Sequence, residues 1–225
     1  MRRPSRYQNA VKYLSGLLLL ALLFGKARGE KSEMNEYSEP PLEILIKIDG
    51  NVHRLRSGEE SQIRIGERDV SIAVDASDYR TLRVSDVSFR YPRHMAFEVD
   101  RDNAPVEVWT LDGNATVIML LRYPKSFGDI TEASVAGVEQ EFGKKNVKRS
   151  SVTMELAGAK RRGIHVDARA FQTTRVSHDY FFLRGKSYNY LLAIQESRTQ
   201  GEERTNETQH VVRLLQESLT LTTDD

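Results

Sequence analysis

Histidines and aspartates are the residues of this chain whose types could support metal binding or acid–base chemistry. His165 and Asp167 stand two residues apart in an alternating run, so their side chains are expected on one face of a strand. A metal site normally takes three or four ligands, and the sequence contains neither an HxxxH nor an HExxH motif. We therefore interpret His165 as a strand histidine with a neighbouring carboxylate, and no metal is expected.

Two further motifs resemble known ligand loops but are incomplete. Asp100, Asp102 and Asn103 have the alternating oxygen donors of a calcium loop, but the glycine and the distal glutamate of that loop are missing. The "RGKS" segment would need a glycine at the position of Tyr180 to be a phosphate loop. The chain has no cysteine and no GxSxG motif. We expect no catalytic residues, no cofactor and no enzymatic activity.

The feature that stands out from its surroundings is basic. Residues 142–163 carry seven basic side chains opposed only by Glu155, namely Lys144, Lys145, Lys148, Arg149, Lys160, Arg161 and Arg162. The first four end a predicted helix and begin a strand, and the last three are predicted in the turn after it. Along a straight strand the two clusters lie roughly 30 Å apart, too far to form one pocket. They either complement the helix dipole and solvate a turn, or dock onto an acidic partner or anionic headgroups.

The front of the chain is typical of an export leader. Arg2, Arg3, Arg6 and Lys12 precede an apolar run of about a dozen residues, which is short of the roughly 20 that span a bilayer. Small residues follow, so residues 1–29 are predicted to be a signal peptide cleaved after Gly29. The alternative is an uncleaved segment that anchors the protein in the membrane.

Cleavage would change the charge balance of the chain. Removing the six basic residues of the leader from the 33 of the chain leaves 27 against 32 acidic residues, a formal net charge of −5. This charge gives no support to a nucleic-acid-binding protein. An exported chain without cysteine must also be stabilised by its core, without disulfides.

Three segments follow the predicted leader. Residues 30–41 are polar, end in a proline pair and are predicted to be a linker. Residues 42–84 alternate with period two between turns and are predicted to form a small β-meander. Residues 85–225 form the main domain, which contains hairpins over Asp112-Gly113 and Gly185-Lys186.

Two helices are predicted among the strands of the main domain. Asp129 and Glu132 form a capping-box pair before a stripe of apolar residues, and Gly143 stops this helix. The second helix carries Val211 to Leu219 and is expected to be capped by Asn206 or Gln209. Hairpins imply antiparallel pairing, and two amphipathic helices must cover a sheet. The expected fold class is therefore α+β, an antiparallel sheet flanked by helices.

The order of these elements carries a family resemblance. "FRYP", "VEVWTLDGNATVIMLL", a helix, "YFFLRGKSYNYLLAIQES" and a closing helix ending in Ser-Leu occur in the same order as in the PsbP-like α/β/α sandwich. The resemblance covers about residues 86–222 and leaves the preceding β-module unexplained. The family implies binding or assembly roles without a shared catalytic set. Unlike its lipoprotein members, this chain has no cysteine to carry a lipid.

Together these features predict an exported, periplasmic or extracellular, non-enzymatic module. It would bind a protein or an envelope component, and the basic clusters are the candidate contact residues. The alternative is a small-ligand carrier or enzyme that uses a groove between sheet and helix. The identity of the partner and the oligomeric state do not follow from the sequence.

Overall fold

The computed structural model describes residues 39, 43–48, 51–56, 61–65, 68–72, 77–170 and 173–224. The predicted signal peptide, its cleavage site and almost all of the predicted linker lie outside these residues. Within them, no helix combines the length and the apolar character needed to cross a membrane.

The first described strands form two separate hairpins. Strand β1 (Glu43–Ile48) pairs with β2 (Asn51–Arg56), and β3 (Ser61–Ile65) pairs with β4 (Arg68–Ile72), both antiparallel. Each pair is a two-stranded sheet of its own. The expected continuous β-meander is therefore replaced by hairpins that do not pair with each other.

A seven-stranded antiparallel sheet organises the main domain. Its order is β10-β11-β12-β13-β9-β8-β7. The strands are β7 (Ala96–Asp100), β8 (Glu107–Asp112), β9 (Thr116–Tyr123), β10 (Val147–Leu156), β11 (Ala159–Arg169), β12 (Thr174–Arg184) and β13 (Asn189–Thr199). The hairpins predicted over Asp112-Gly113 and Gly185-Lys186 are both present. Pairing of β13 with β9 joins segments that are far apart in the chain, and β10 is left at one edge.

One face of this sheet is covered by strands as well as by a helix. Strands β5 (Tyr79–Val84), β6 (Val87–Pro92) and β14 (Thr220–Leu221) form a three-stranded sheet, and helix α2 (Asn206–Ser218) packs mainly against β6. Their apolar side chains share one buried cluster with Trp109, which is fully buried. Burial of this apolar area is the main source of stability available to the domain.

The opposite face carries helix α1 (Thr131–Phe142), which buries Val135 and Val138 against the sheet. Asp129 accepts the backbone N–H of Thr131 at 2.8 Å, and Gly143 ends the helix with a positive φ of 80°. Helix α2 begins differently from the prediction. Its N-cap is Thr205, whose side chain accepts the N–H of Thr208.

The predicted helix-flanked α/β/α sandwich is therefore wrong. The described residues are mostly antiparallel strands, divided among the seven-stranded sheet, the three-stranded sheet and the two hairpins, with α1 and α2 as their two α-helices. The physical reason is that β5, β6 and β14 pair with each other and not with the large sheet. Their apolar faces, which include Leu82 and Phe89, then cover that sheet where helices were expected.

One carboxylate ties α2 to the large sheet. Glu207 accepts the backbone N–H groups of Asn114, Ala115 and Thr116 at 3.1, 2.6 and 3.0 Å, and its Oε1 lies 2.7 Å from His94 Nε2. Burial acts to raise the pKa of Glu207, but the hydrogen bonds from His94 and from the backbone outweigh it and hold this pKa below its ordinary value. The first turn of α2 is thereby fixed against the turn between β8 and β9.

Candidate functional site

A groove of about 490 Å³ lies between the start of α1 and strands β10 to β12. Its floor contains Ile164, Tyr180 and Phe182, which lie on the same face of the sheet as α1 because alternate strand residues share a face. Ile164 and Phe182 are only partly buried. The floor of the groove is thus apolar sheet surface that α1 leaves uncovered, and the residues around it are mostly polar or charged.

Arg149 lies at the rim of this groove and bridges it to α1. Its Nη1 lies 3.0 Å from Glu132 Oε2, and its Nε lies 2.8 Å from Glu139 Oε1. The side chain of Glu132 is 72% exposed, so water competes for it. The contact between Arg149 and Glu132 is therefore weak and exchangeable.

Arg162 reaches the same groove from the neighbouring strand. The sequence predicts it in a turn, but the structure places it within β11, opposite Thr153 of β10. Its Nε and Nη2 donate to Ser151 Oγ at 3.2 and 3.0 Å. Within the described residues Arg162 has no acidic partner, so most of the donors of its guanidinium are unused.

One residue of each basic cluster, Arg149 and Arg162, lines this groove, although strand length predicted that the two clusters lie too far apart to form one pocket. The turn after β10 is only two residues long, and β11 runs back along β10. This brings Arg162 close to Ser151, which is two positions from Arg149 on β10. The expected separation assumed that the second cluster stays at the far end of the strand.

The remaining cluster residues surround the groove without lining it. Lys144 and Lys145 follow α1 in a short 3₁₀ turn, and Lys148 begins the exposed edge strand. Lys160 is exposed. Arg161 points to the other face of the sheet from Arg162, and its Nε donates to the carbonyl of Leu156 at 3.1 Å.

A second polar cluster lies on the opposite face of the same strands. His165 Nδ1 lies 2.6 Å from Asp179 Oδ1 across the strand pair, and Arg204 also donates to this carboxylate. Burial acts to raise the pKa of Asp179, but the hydrogen bond from His165 and the charge of Arg204 outweigh it and hold this pKa below its ordinary value. The carboxylate next to His165 is thus Asp179, whereas Asp167 forms an ion pair with Arg175.

Ser150 lies opposite His165 in the strand register, which aligns Ser150, His165 and Asp179 across three strands. A nucleophilic serine would hydrogen-bond the free nitrogen of the histidine. No such hydrogen bond joins Ser150 to His165 in the described structure. The His165–Asp179 pair instead fixes Arg204, just before α2, against β12.

The other two motifs singled out in the sequence are turns whose backbone N–H groups donate to aspartate side chains, in one case to an aspartate of another turn. Asp100 accepts the N–H of Asp102 at 2.8 Å and the side chain of Asn103 at 3.4 Å. In the "RGKS" turn, the N–H of Ser187 donates to Asp86 at 2.7 Å. The described residues contain no group of three or more side chains that could hold a metal ion.

Comparisons with known proteins give little beyond this geometry. No protein-family model matches the chain, and no curated protein matches it. Among solved structures it resembles LpqN, a protein involved in cell envelope biogenesis of Mycobacterium tuberculosis, with a TM-score of 0.37 and 15% identity, over 60% of this chain and 83% of LpqN. A likeness this distant carries no argument about family or function. The resemblance to PsbP-like proteins stays a prediction.

Proposed function

We propose that this protein is an exported, non-catalytic binding module that docks onto an acidic protein or another anionic component of the cell envelope. Its contact region is the basic surface, defined here as Lys144, Lys145, Lys148, Arg149, Lys160, Arg161 and Arg162. The observation that carries the proposal is the position of these residues. They cluster on and beside a single hairpin, β10–β11, at the edge of the large sheet.

The charges of this surface are available to a partner. Lys144, Lys145, Lys148 and Lys160 are exposed, and within the described residues none of them forms an ion pair. A cluster of exposed positive charges attracts an anionic partner over a distance and orients it. Such charges contribute more to the association rate and to specificity than to affinity.

Strand β10 adds a directional element to this surface. Within the described part of the chain it pairs only with β11, so the backbone groups of its other edge are open to a partner. Exposed lysine on an edge strand also prevents uncontrolled pairing between copies. A partner that supplies acidic side chains would neutralise Lys148 and gain access to this edge.

The experiment compares two matched triple variants of the chain without residues 1–29. One replaces Lys144, Lys145 and Lys148 with Gln, and the other removes the same charge at exposed positions outside the β10–β11 hairpin, Arg184, Lys186 and Arg213. Each is crosslinked in envelope extracts, and the captured species are compared with those of the wild type. We expect the first variant to lose most of the capture at low salt and the second to keep it. Equal capture by both variants, or no specific capture by the wild type, would contradict the proposal.

A further inference from the structure

We infer that the groove between α1 and strands β10 to β12 binds a small amphiphilic anion, a carboxylate or phosphate group joined to an apolar chain. This inference goes beyond the proposed docking function, because the groove is lined by Arg149 and Arg162 and by none of the exposed lysines of the basic surface. The groove volume of about 490 Å³ falls within the range of roughly 300 to 1,000 Å³ that holds small molecules. A ligand of this size would fill it without contact to the rest of the basic surface.

The floor of the groove matches the apolar part of such a ligand. Ile164 and Phe182 are partly buried, and Tyr180 beside them is buried. Apolar side chains of this size on a sheet are normally covered, and α1 covers only the neighbouring part through Val135 and Val138. An alkyl chain lying over Ile164 and Phe182 would remove this apolar area from water.

The two arginines match the charged part. The guanidinium of Arg162 uses two of its nitrogens on one hydroxyl, Ser151 Oγ, and it has no carboxylate partner in the described structure. A guanidinium is suited to a planar carboxylate or a phosphate because its donors form a fixed fork. Ser151 lies beside it and adds a hydroxyl at the same position of the groove.

The acidic residues of the groove do not oppose this assignment. Asp129 is engaged at the start of α1 by the N–H of Thr131. Glu132 pairs with Nη1 of Arg149, and because its side chain is 72% exposed, an incoming anion can replace it there while Glu139 keeps its contact with Nε. A cationic ligand would be repelled by Arg149 and Arg162, which both line the groove.

The test measures binding of a defined probe, 11-(dansylamino)undecanoic acid, to the chain without residues 1–29 by fluorescence titration. Laurate, dodecanol and inorganic phosphate serve as competitors. We expect saturable binding that laurate displaces, with dodecanol at least tenfold weaker and inorganic phosphate without effect at the same concentration. Lack of saturable binding, or equal displacement by laurate and dodecanol, would overturn the inference. Displacement by phosphate alone would overturn it too, because the ligand would then not be an amphiphile.

Two arginines of the same strand provide the matched control. Arg162→Gln removes the groove cation, and Arg169→Gln removes the same charge from an exposed residue of β11 that faces the other side of the sheet. We expect Arg162→Gln to weaken probe binding at least tenfold and Arg169→Gln to change it less than twofold. Equal losses in both variants would mean that the probe senses only the general charge of the hairpin, and the inference would fail. Thermal unfolding of both variants checks that each is folded.

The outcome is separable from that of the proposed function. Capture of an envelope partner depends on Lys144, Lys145 and Lys148, none of which lines the groove. If the protein captures a partner but does not bind the probe, the groove-ligand inference is wrong and the proposed function stands. If it binds the probe but captures no partner, the proposed docking function is wrong and the groove-ligand inference stands.

Discussion

The buried histidine of strand β12 makes the stability of this protein depend on pH in a defined range. The ring of His178 stacks on that of Tyr180, with centroids 5.6 Å apart and planes within 2°. Neither ring nitrogen has a hydrogen-bond partner in the described structure. Burial lowers the pKa of His178 from 6.5 to about 4, with the Asp179 carboxylate acting in the opposite direction and His165 in the same direction.

The sign and size of the effect follow from linkage. The unfolded chain binds a proton at this histidine below pH 6.5, whereas the folded chain does so only near pH 4. The stability present above pH 6.5 is therefore lost as the pH falls towards 4. Each pKa unit corresponds to 1.36 kcal/mol, so this one residue removes about 3 kcal/mol over that range. This is a large fraction of the 5–15 kcal/mol that typically stabilises a folded domain.

The substitution His178→Leu removes the titrating group and the two unpaired nitrogens and keeps a side chain of similar size. Urea unfolding of the wild type and the variant at pH 7, 5.5 and 4 measures the difference in the free energy of unfolding. We expect the variant to be at least as stable at pH 7, and its advantage to grow by about 3 kcal/mol by pH 4. The control His210→Leu changes an exposed residue of α2 and is expected to keep the pH dependence of the wild type. An unchanged pH dependence in His178→Leu would refute the reasoning.

Two further substitutions test contacts that hold the described fold together. Glu207→Ala leaves three backbone N–H groups at the β8–β9 turn without their carboxylate acceptor. We therefore expect the free energy of unfolding, measured with urea at pH 7, to fall by about 2–3 kcal/mol. The control Glu203→Ala changes an exposed residue and should lower it by less than about 0.5 kcal/mol. Because the pKa of Glu207 is lowered, this contribution should fade as the pH falls through it, and a loss that persists in strong acid would contradict the assignment. Gly163→Ala places a Cβ 2.3 Å from the backbone oxygen of Tyr180, so we expect a loss of about 2 kcal/mol or more and a lower midpoint of thermal unfolding. An unchanged midpoint would show that β11 and β12 can separate locally.

Much of the local structure could be predicted because it depends on neighbouring residues. The turn pairs Asp112-Gly113 and Gly185-Lys186 lie between alternating runs, and both hairpins form there. The apolar spacing of Val135 and Val138, followed by Gly143, predicts a helix that stops at this glycine, and α1 ends at Phe142, directly before it. Trp109 and Leu111 lie two residues apart on β8 and therefore share a face, and both are fully buried.

The candidate site was predicted only in part, because its residues meet across strands. Arg149 and Arg162 were recognised as basic, but the two-residue turn that brings them into one groove was predicted to be longer. His165 was paired with Asp167 along its own strand, whereas the register of β11 and β12 places it against Asp179. Asp179, the carboxylate that contacts His165, follows His178 directly in the sequence. Its position opposite His165 depends on the register of β11 against β12, which cannot be read from either strand alone.

The amino-acid sequence alone predicts most of the strands, the two helices, the hairpin turns at Asp112-Gly113 and Gly185-Lys186, and the basic character of residues 144–162. These follow from side-chain periodicity and backbone preferences, which act over a few residues. Three features are visible only in the tertiary structure. Strands β5, β6 and β14 form a separate sheet, β13 pairs with β9, and α1 leaves uncovered a groove that Arg149 and Arg162 line. These features depend on which apolar faces pack against each other. That arrangement is set by the packing of the whole core, which joins residues far apart in the sequence.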